Sequence, residues 1–420
     1  MDIRHHPCFN EHAHRVFGRV HLPVAPRCNI QCRYCNRQFD CVNESRPGVT
    51  SSVLSPRQAL AYLDAVMAAK DNIAVAGIAG PGDPMANPEQ TIETLSLIRE
   101  KYPDLLLCLA TNGLNLEPYA DRLADIGVSH VTVTVNAVDP AVGEKLYSWV
   151  RFNRRVHGPA AGARILMERQ QAAICALKAR PGITVKVNFI VIPGINDFHA
   201  EETAREMAGY GVDLFNCMAY RPAPGSALAH LHEPDAVAVG KIRKAAEKYL
   251  PQMRHCTRCR ADAVGLLGQG PDAALMETMK SCAAMDKDSS RPPSAGRSHV
   301  AVASMEGLLV NQHLGEAGRL LIYRQEGGAV SLKEARSTPA RGSGDLRWEQ
   351  MAGVLSDCQT LLVSGIGDRP KAVLEKSGID VKVIDGLIDD AVAGVFAGKS
   401  LRHMTRREIP ECTGTGMGCG

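Results

Sequence analysis

The sequence has no apolar run approaching the roughly 20 residues needed to cross a bilayer, and its opening stretch, Met1–His6, has no apolar segment of signal-peptide length. Membrane insertion and secretion are therefore not expected, and the expected location is cytoplasmic. There is also no basic tract and no stripe of Lys and Arg interleaved with aromatics; the net charge is only +3, so nucleic acid is not an implied partner. No internal repeat is visible. Against these absences, 45% of the 420 residues are apolar and 22% charged. This suits a water-soluble chain with a sizeable core, longer than one typical domain.

Cysteine is plentiful: fourteen residues, ten of them before residue 260. Without a secretion signal, this points to metal ligation or redox chemistry, because cytosolic thiols are kept reduced. Cys8, Cys28, Cys32, Cys35, Cys41, Cys256 and Cys259 lie in polar, turn-rich sequence, whereas Cys175 and Cys217, inside apolar stretches, read as ordinary buried thiols. The spacing Cys28-x3-Cys32-x2-Cys35 can hold three irons of a [4Fe–4S] cube and leave the fourth open to a small molecule. An open iron implies chemistry more than electron carriage, and the aromatic Tyr34 before the last cysteine strengthens that reading. A zinc knuckle completed by a nearby His or Cys is the alternative.

Short apolar runs alternate with helical patterns, as in a parallel sheet with crossover helices. Strands are predicted near 19–25, 73–79, 105–110, 130–136, 183–191 and 212–218. A helix opens at Ser55-Pro56, with Leu60, Leu63 and Met67 on one face, and Ile92, Leu95 and Ile98 mark the next. The α/β pattern predicts a partial (β/α)6 barrel over 1–285, with functional residues at the C-terminal strand ends; the cysteine loop follows the first strand. Residues 286–297, polar and rich in Ser and Pro, read as a linker. A second α/β domain is expected over 298–405, with strands near 299–304, 319–323, 360–364 and 381–384 and helices over 372–376 and 389–397. A flexible Gly/Cys tail containing Cys412 and Cys419 follows over 406–420.

The triad after a first barrel strand resembles the radical S-adenosylmethionine superfamily. That resemblance implies an open iron that chelates S-adenosylmethionine and, once reduced, cleaves it to a 5′-deoxyadenosyl radical. Gly80-Pro81-Gly82-Asp83-Pro84 after the second strand resembles the element that holds the amino group of S-adenosylmethionine, though it departs from the superfamily's usual Gly-Gly-Glu. Thr111-Asn112-Gly113, Asn136, Asn188 and Ile190 are expected to line the same cavity.

Further motifs occur in order: His6-Pro7-Cys8, Glu11-x2-His14, the triad, Asn43–Gly48, and Cys256-x2-Cys259-Arg-Ala-Asp-Ala-x-Gly265. Together they resemble the NifB family of nitrogenase iron–molybdenum cofactor biosynthesis proteins. Val310–Gly315 and Leu361–Gly367 are similar to the small cofactor-carrying NifX family, which implies a ribonuclease H-like second domain that binds cofactor. The resemblance implies three clusters: one [4Fe–4S] cluster with S-adenosylmethionine on Cys28, Cys32 and Cys35, and two [4Fe–4S] substrate cubes. One cube would be held by His21, Cys41 and Cys108, with His14 able to replace or supplement His21; the other by Cys8, Cys256 and Cys259. Fusion of the cubes with an added sulfide and an S-adenosylmethionine-derived carbide would give an [8Fe–9S–C] precursor. Glu11, His14 and Glu44 are the candidate bases, and Arg46 the candidate partner for a carboxylate or developing negative charge. The implied partners are iron–sulfur cluster donors, an electron donor such as ferredoxin, and carrier or scaffold proteins that take the product. His313 is either a cluster contact or a turn cap. A radical enzyme acting on a peptide or small organic substrate, with auxiliary clusters for electron transfer, is the alternative function, and a non-enzymatic cluster carrier is a third.

Overall fold

The computed structural model describes residues 3–43, 52–153, 155–270, 272–285, 297–340, 345–401 and 404. The chain divides into two compact units, Met1–Arg291 and Pro292–Gly420.

In the first unit the strands are β1 Gly18–His21, β2 Ile30–Cys32, β3 Ile73–Ile78, β4 Leu106–Thr111, β5 Val128–Thr134, β6 Tyr147–Phe152, β7 Arg155–His157, β8 Thr184–Val191, β9 Leu214–Ala219 and β10 Val264–Gly265. The helices are α1 Pro56–Ala69, α2 Pro88–Lys101, α3 Ala120–Ile126, α4 Pro140–Leu146, α5 Pro159–Lys178, α6 Ala200–Gly209, α7 Ala236–Ala246 and α8 Ala273–Ala284. Strands β1-β3-β4-β5-β8-β9 form a parallel sheet in that order, curled as an open half-barrel, and β10 adds antiparallel to β1. These are the six strands predicted from the apolar runs. The first is shorter than expected because Pro23 and Pro26 lack the amide hydrogen that a ladder requires.

Alternation sorts the sheet's two faces. Val20, Ile78, Leu107, Leu109, Val131, Val133, Val185, Val187 and Phe215 join one apolar cluster with residues of the crossover helices. The alternate positions, among them Arg19, His21, Cys108, Thr132, Lys186, Asn188 and Asn216, carry the polar side chains of the inner face. Helix α1 begins as its Ser55-Pro56 start predicts: Pro56 takes the first turn, and the Gln58 side chain accepts the Ser55 amide at 2.9 Å. Cys217 is buried as expected, but Cys175 is exposed, because its position on α5 faces away from the sheet.

Two small additions were not legible in the sequence. Strand β10 is two residues long, and β2 pairs antiparallel with β6, which continues to β7 as a separate three-stranded sheet behind the cysteine loop. No helix among the described residues is long and apolar enough to cross a membrane.

The second unit has strands β11 His299–Val302, β12 Leu309–Val310, β13 Arg319–Glu326, β14 Ala329–Ser337, β15 Cys358–Val363, β16 Asp380–Val383 and β17 Gly386–Leu387, with helices α9 Asp345–Val354, α10 Asp368–Lys376 and α11 Ile388–Phe396. Its main sheet runs β14-β13-β11-β15-β16, the first two pairings antiparallel and the last two parallel, which is the ribonuclease H-like order. The β13–β14 hairpin turns at Gly327-Gly328, both at positive φ (56° and 83°), where a side chain would be strained.

Candidate functional site

Cys28, Cys32 and Cys35 sit in the loop and short strand that follow β1, and they line one small cavity with Arg37, Cys41, Asp83 and Asn112. Burial pushes the Cys28 thiol up to about 11, and the thiols of Cys32 and Cys41 upward as well. A buried thiol of this kind ionises only when positive charge is supplied. Arg37, itself buried, is one such charge; burial works against its ionisation, but Cys28, Cys35 and Cys41 around it raise its pKa further. The donor set therefore fits a cluster whose irons replace the thiol protons.

The loop after β3 clamps this site. Gly82 donates its amide to the Ala25 carbonyl at 2.6 Å, Asp83 donates to the Arg27 carbonyl at 2.8 Å, and the Pro81 carbonyl accepts from the Cys41 amide at 2.9 Å. The Asp83 carboxylate accepts from the amides of Met85 (2.9 Å) and Asn112 (2.6 Å) and from the Thr111 hydroxyl (2.9 Å), joining the loops after β3 and β4. Burial pushes its carboxyl up, and those donors pull it back towards ionisation. Gly80, Pro81 and Gly82 thus hold the cysteine loop through their backbone. A Cβ on Gly82 would sit 2.1 Å from the Arg27 carbonyl oxygen. Gly82→Ala is expected to displace the cysteine loop at a cost of about 1–3 kcal/mol, lowering the thermal midpoint by several degrees and weakening S-adenosylmethionine binding. An unchanged midpoint together with unchanged binding in calorimetry would contradict this reading.

Tyr34, fully buried, donates its hydroxyl hydrogen to Asn43 Oδ1 at 2.8 Å and accepts from Asn136 Nδ2 at 2.6 Å. Asn136 Oδ1 accepts the Ile190 amide at 2.7 Å, so these three expected residues form one network at the strand ends. Asn188 Nδ2 reaches the Asn43 carbonyl at 3.4 Å. Asn43 lines the triad cavity and Asn188 lines a second cavity, so the two adjoin through this pair.

The second cavity gathers Cys8, His21, Cys108, Cys256 and Cys259 on one wall system. The parallel register pairs His21 with Gly77 and Gly77 with Cys108, so all three share the inner face in one row. At the usual strand spacing, the His21 and Cys108 backbones stand about 10 Å apart. Gly77 leaves the gap between them clear; a Cβ there would lie 3.3 Å from the His21 ring and 3.6 Å from Cys108 Cβ. The His21 Nδ1–H donates to the Arg260 carbonyl at 3.1 Å; since a carbonyl can only accept, the lone pair is left on Nε2. Burial, with Arg19 adding to it, lowers the His21 pKa to about 4, which keeps the ring neutral as a ligand must be.

Cys8 arrives on the N-terminal segment, where Phe9 and His6 pack against His130. Burial pushes the Cys8 thiol up to about 12, with Lys186 opposing. Arg19 Nη2 donates to Cys259 Sγ at 2.9 Å, and Lys186 Nζ lies 4.9 Å from the centre of the Phe9 ring. Among the described residues, no three His, Cys, Asp or Glu side chains come close enough to share one metal ion. A cube takes one ligand per iron and asks for wider spacing.

Other expected positions fall elsewhere. Cys41 lines the triad cavity rather than standing beside His21 and Cys108, because its amide is tied to Pro81. Glu11 is exposed, and His14 stacks on His255 (4.9 Å between ring centres); neither lines the two cavities. Glu44 and Arg46 lie outside the described residues, as do Cys412 and Cys419. In the second unit His313 is exposed and accepts the Gly315 amide at 3.1 Å, the turn-capping role. Arg19, Arg37 and Lys186 were not singled out from sequence. The signal was there: Lys186 interrupts Val185 and Val187 in phase with Asn188, marking an inner-face position in an otherwise apolar strand.

The model of the radical SAM superfamily matches residues 22–207, and that of the dinitrogenase iron-molybdenum cofactor family matches residues 297–398. The FeMo cofactor biosynthesis protein NifB of Chlorobaculum tepidum is 50% identical over 426 residues, covering 100% of this chain and 99% of the relative. The NifB proteins of Frankia alni and Azotobacter vinelandii are 38% and 36% identical, each alignment covering 94% of this chain and 88% of the relative.

Proposed function

Because this chain belongs to the NifB family of FeMo cofactor biosynthesis proteins, with a radical S-adenosylmethionine unit ahead of a dinitrogenase-cofactor unit, we propose that it fuses two [4Fe–4S] substrate clusters into an [8Fe–9S–C] precursor. One carbide would come from S-adenosylmethionine, and one sulfide would be added. The observation that supports this best is the placement of Cys8, His21, Cys108, Cys256 and Cys259 around one cavity that adjoins the triad. A radical formed at the triad would then meet a substrate held next door, not one that had to diffuse in.

When bound at Cys28, Cys32 and Cys35, the resident [4Fe–4S] cluster with S-adenosylmethionine supplies both a methyl group and a 5′-deoxyadenosyl radical. The chain's own residues do the rest. Cys8, Cys256 and Cys259 hold one substrate cube. His21 and Cys108 hold the other, with Cys41 from the adjoining cavity completing the set. Holding each cube by only three groups leaves it free to rearrange and depart, and a neutral imidazole releases iron more readily than a thiolate. Arg19 and Lys186 place positive charge beside thiolates and cluster sulfides. Deprotonation of the inserted carbon needs bases, for which Glu11, His14 and Glu44 are the candidates, with Glu11 and His14 placed on the N-terminal segment outside the lining of both cavities. Cluster donor proteins and an electron donor such as ferredoxin would supply the site; the second unit would hold the product or present it to a carrier or scaffold protein.

The test is anaerobic incubation of the reconstituted protein with dithionite and methyl-labelled S-adenosylmethionine. Both S-adenosylhomocysteine and 5′-deoxyadenosine are expected, with label in an extractable iron–sulfur species. Deoxyadenosine alone, with no label in any cluster, would move the chain to the organic-substrate alternative.

A further inference from the structure

The Arg-Ala-Asp that follows Cys259 has no part in the roles assigned so far, although it forms one of the best-defined ion pairs in the first unit. Arg260 Nε and Nη2 donate to the two carboxylate oxygens of Asp262 at 2.7 and 2.8 Å. The Asp262 side chain is only 3% exposed. The pair closes a turn in which the Arg260 carbonyl accepts the Ala263 amide at 3.2 Å. This turn grips His21 twice. The His21 amide donates to the Ala263 carbonyl at 2.8 Å, and the His21 Nδ1–H donates to the Arg260 carbonyl at 3.1 Å.

We propose that the Arg260–Asp262 pair is a positioning device for His21. By locking the turn, it fixes the Arg260 carbonyl, and that carbonyl fixes both the tautomer and the direction of the ring, so that Nε2 is presented to the cavity. Imidazole ligands depend on such a partner on the other nitrogen, and its loss typically costs about 10–100-fold in metal affinity. The next residue upstream, Cys259, receives the Arg19 guanidinium from the same strand that carries His21. One short segment therefore carries a candidate ligand of one substrate cube and orients that of the other, and disturbing the turn reaches the histidine without removing any ligand atom.

The inference rests on the reading of His21 as an iron ligand, and the experiment separates the two. The full chain, reconstituted with iron and sulfide and reduced with dithionite, is examined by pulsed electron paramagnetic resonance for coupling to a histidine nitrogen. The native chain is expected to show that coupling, and His21→Ala to lack it. Asp262→Ala is expected to lose it or to spread it over several geometries, and to release that cluster to a chelator about 10-fold faster. Asp262→Asn keeps the shape of the turn but not the charge pair, and is expected to shift the coupling in the same direction. The reversed pair, Arg260→Asp with Asp262→Arg, should restore the native signal. A native signal and native chelation rate in Asp262→Ala would overturn the positioning role. Failure of the reversed pair to recover the signal lost in Asp262→Ala would overturn the pair as its cause. Absence of any histidine nitrogen in the native chain would instead remove His21 from the ligand set.

Discussion

Cys28→Ala is expected to reduce S-adenosylmethionine cleavage to background, with 5′-deoxyadenosine no higher than in a protein-free control. In the proposed site three thiolates would hold the triad cluster and its fourth iron would be left for the cofactor, so removing one would leave too few ligands to keep the cube. The substitution also takes away one of the three cysteines that face the buried Arg37 guanidinium. Product analysis by chromatography, with iron counted on the same sample, checks the prediction. Cys28→Ser should behave alike, since a hydroxyl is a poor ligand for cluster iron, and its similar volume controls for packing. Sustained cleavage in either variant would mean that the triad is not where S-adenosylmethionine reacts.

What the sequence made legible depended on whether the information was local. The parallel strands could be read because each is a short apolar run bounded by turn residues and separated by a helical period, and the half-barrel follows from their count and order. Ser55-Pro56 could be read because capping is a matter of a few neighbouring residues. Strand β2 could not: Ile30–Cys32 is three residues long, and it is a strand only because Tyr147–Val150 lies beside it, more than a hundred residues away in the chain. Strand β14 was missed for a different reason. Its pattern is mostly partly exposed, with Leu332 the one buried position, so it carries little apolar signal of its own.

The site divides in the same way. Residue types and spacing identified the triad, the Cys256-x2-Cys259 knuckle and the glycine loop, because each is contiguous. Grouping them was another matter. The row His21–Gly77–Cys108 exists only through strand register, with the side-chain-free position at Gly77 between the two candidate ligands. Cys41 was grouped with that row; its amide donates to the Pro81 carbonyl and it lines the triad cavity, so in the proposed set it would serve the second cube from the adjoining cavity. The glycine loop was expected to hold the cofactor; the amides of Gly82 and Asp83 donate to the Ala25 and Arg27 carbonyls, so the loop also positions the cysteines.

The same division of labour makes the second large prediction specific. Cys256→Ala should leave S-adenosylmethionine cleavage within about 2-fold of the native chain while abolishing the labelled, extractable cluster product. Cys256 lies in the second cavity, with its Sγ 3.9 Å from Met218 Sδ, and is absent from the lining of the triad cavity. On the proposed assignment its loss would leave one substrate cube on two thiols, and a cube held that loosely would not be retained through the several chemical events that fusion needs. Cluster content before turnover and product after it are therefore expected to fall together, whereas 5′-deoxyadenosine does not. A full yield of product from Cys256→Ala would remove this cysteine from the substrate site. A parallel loss of cleavage would mean that the two cavities are one functional unit, with the radical formed only when both substrate cubes are seated.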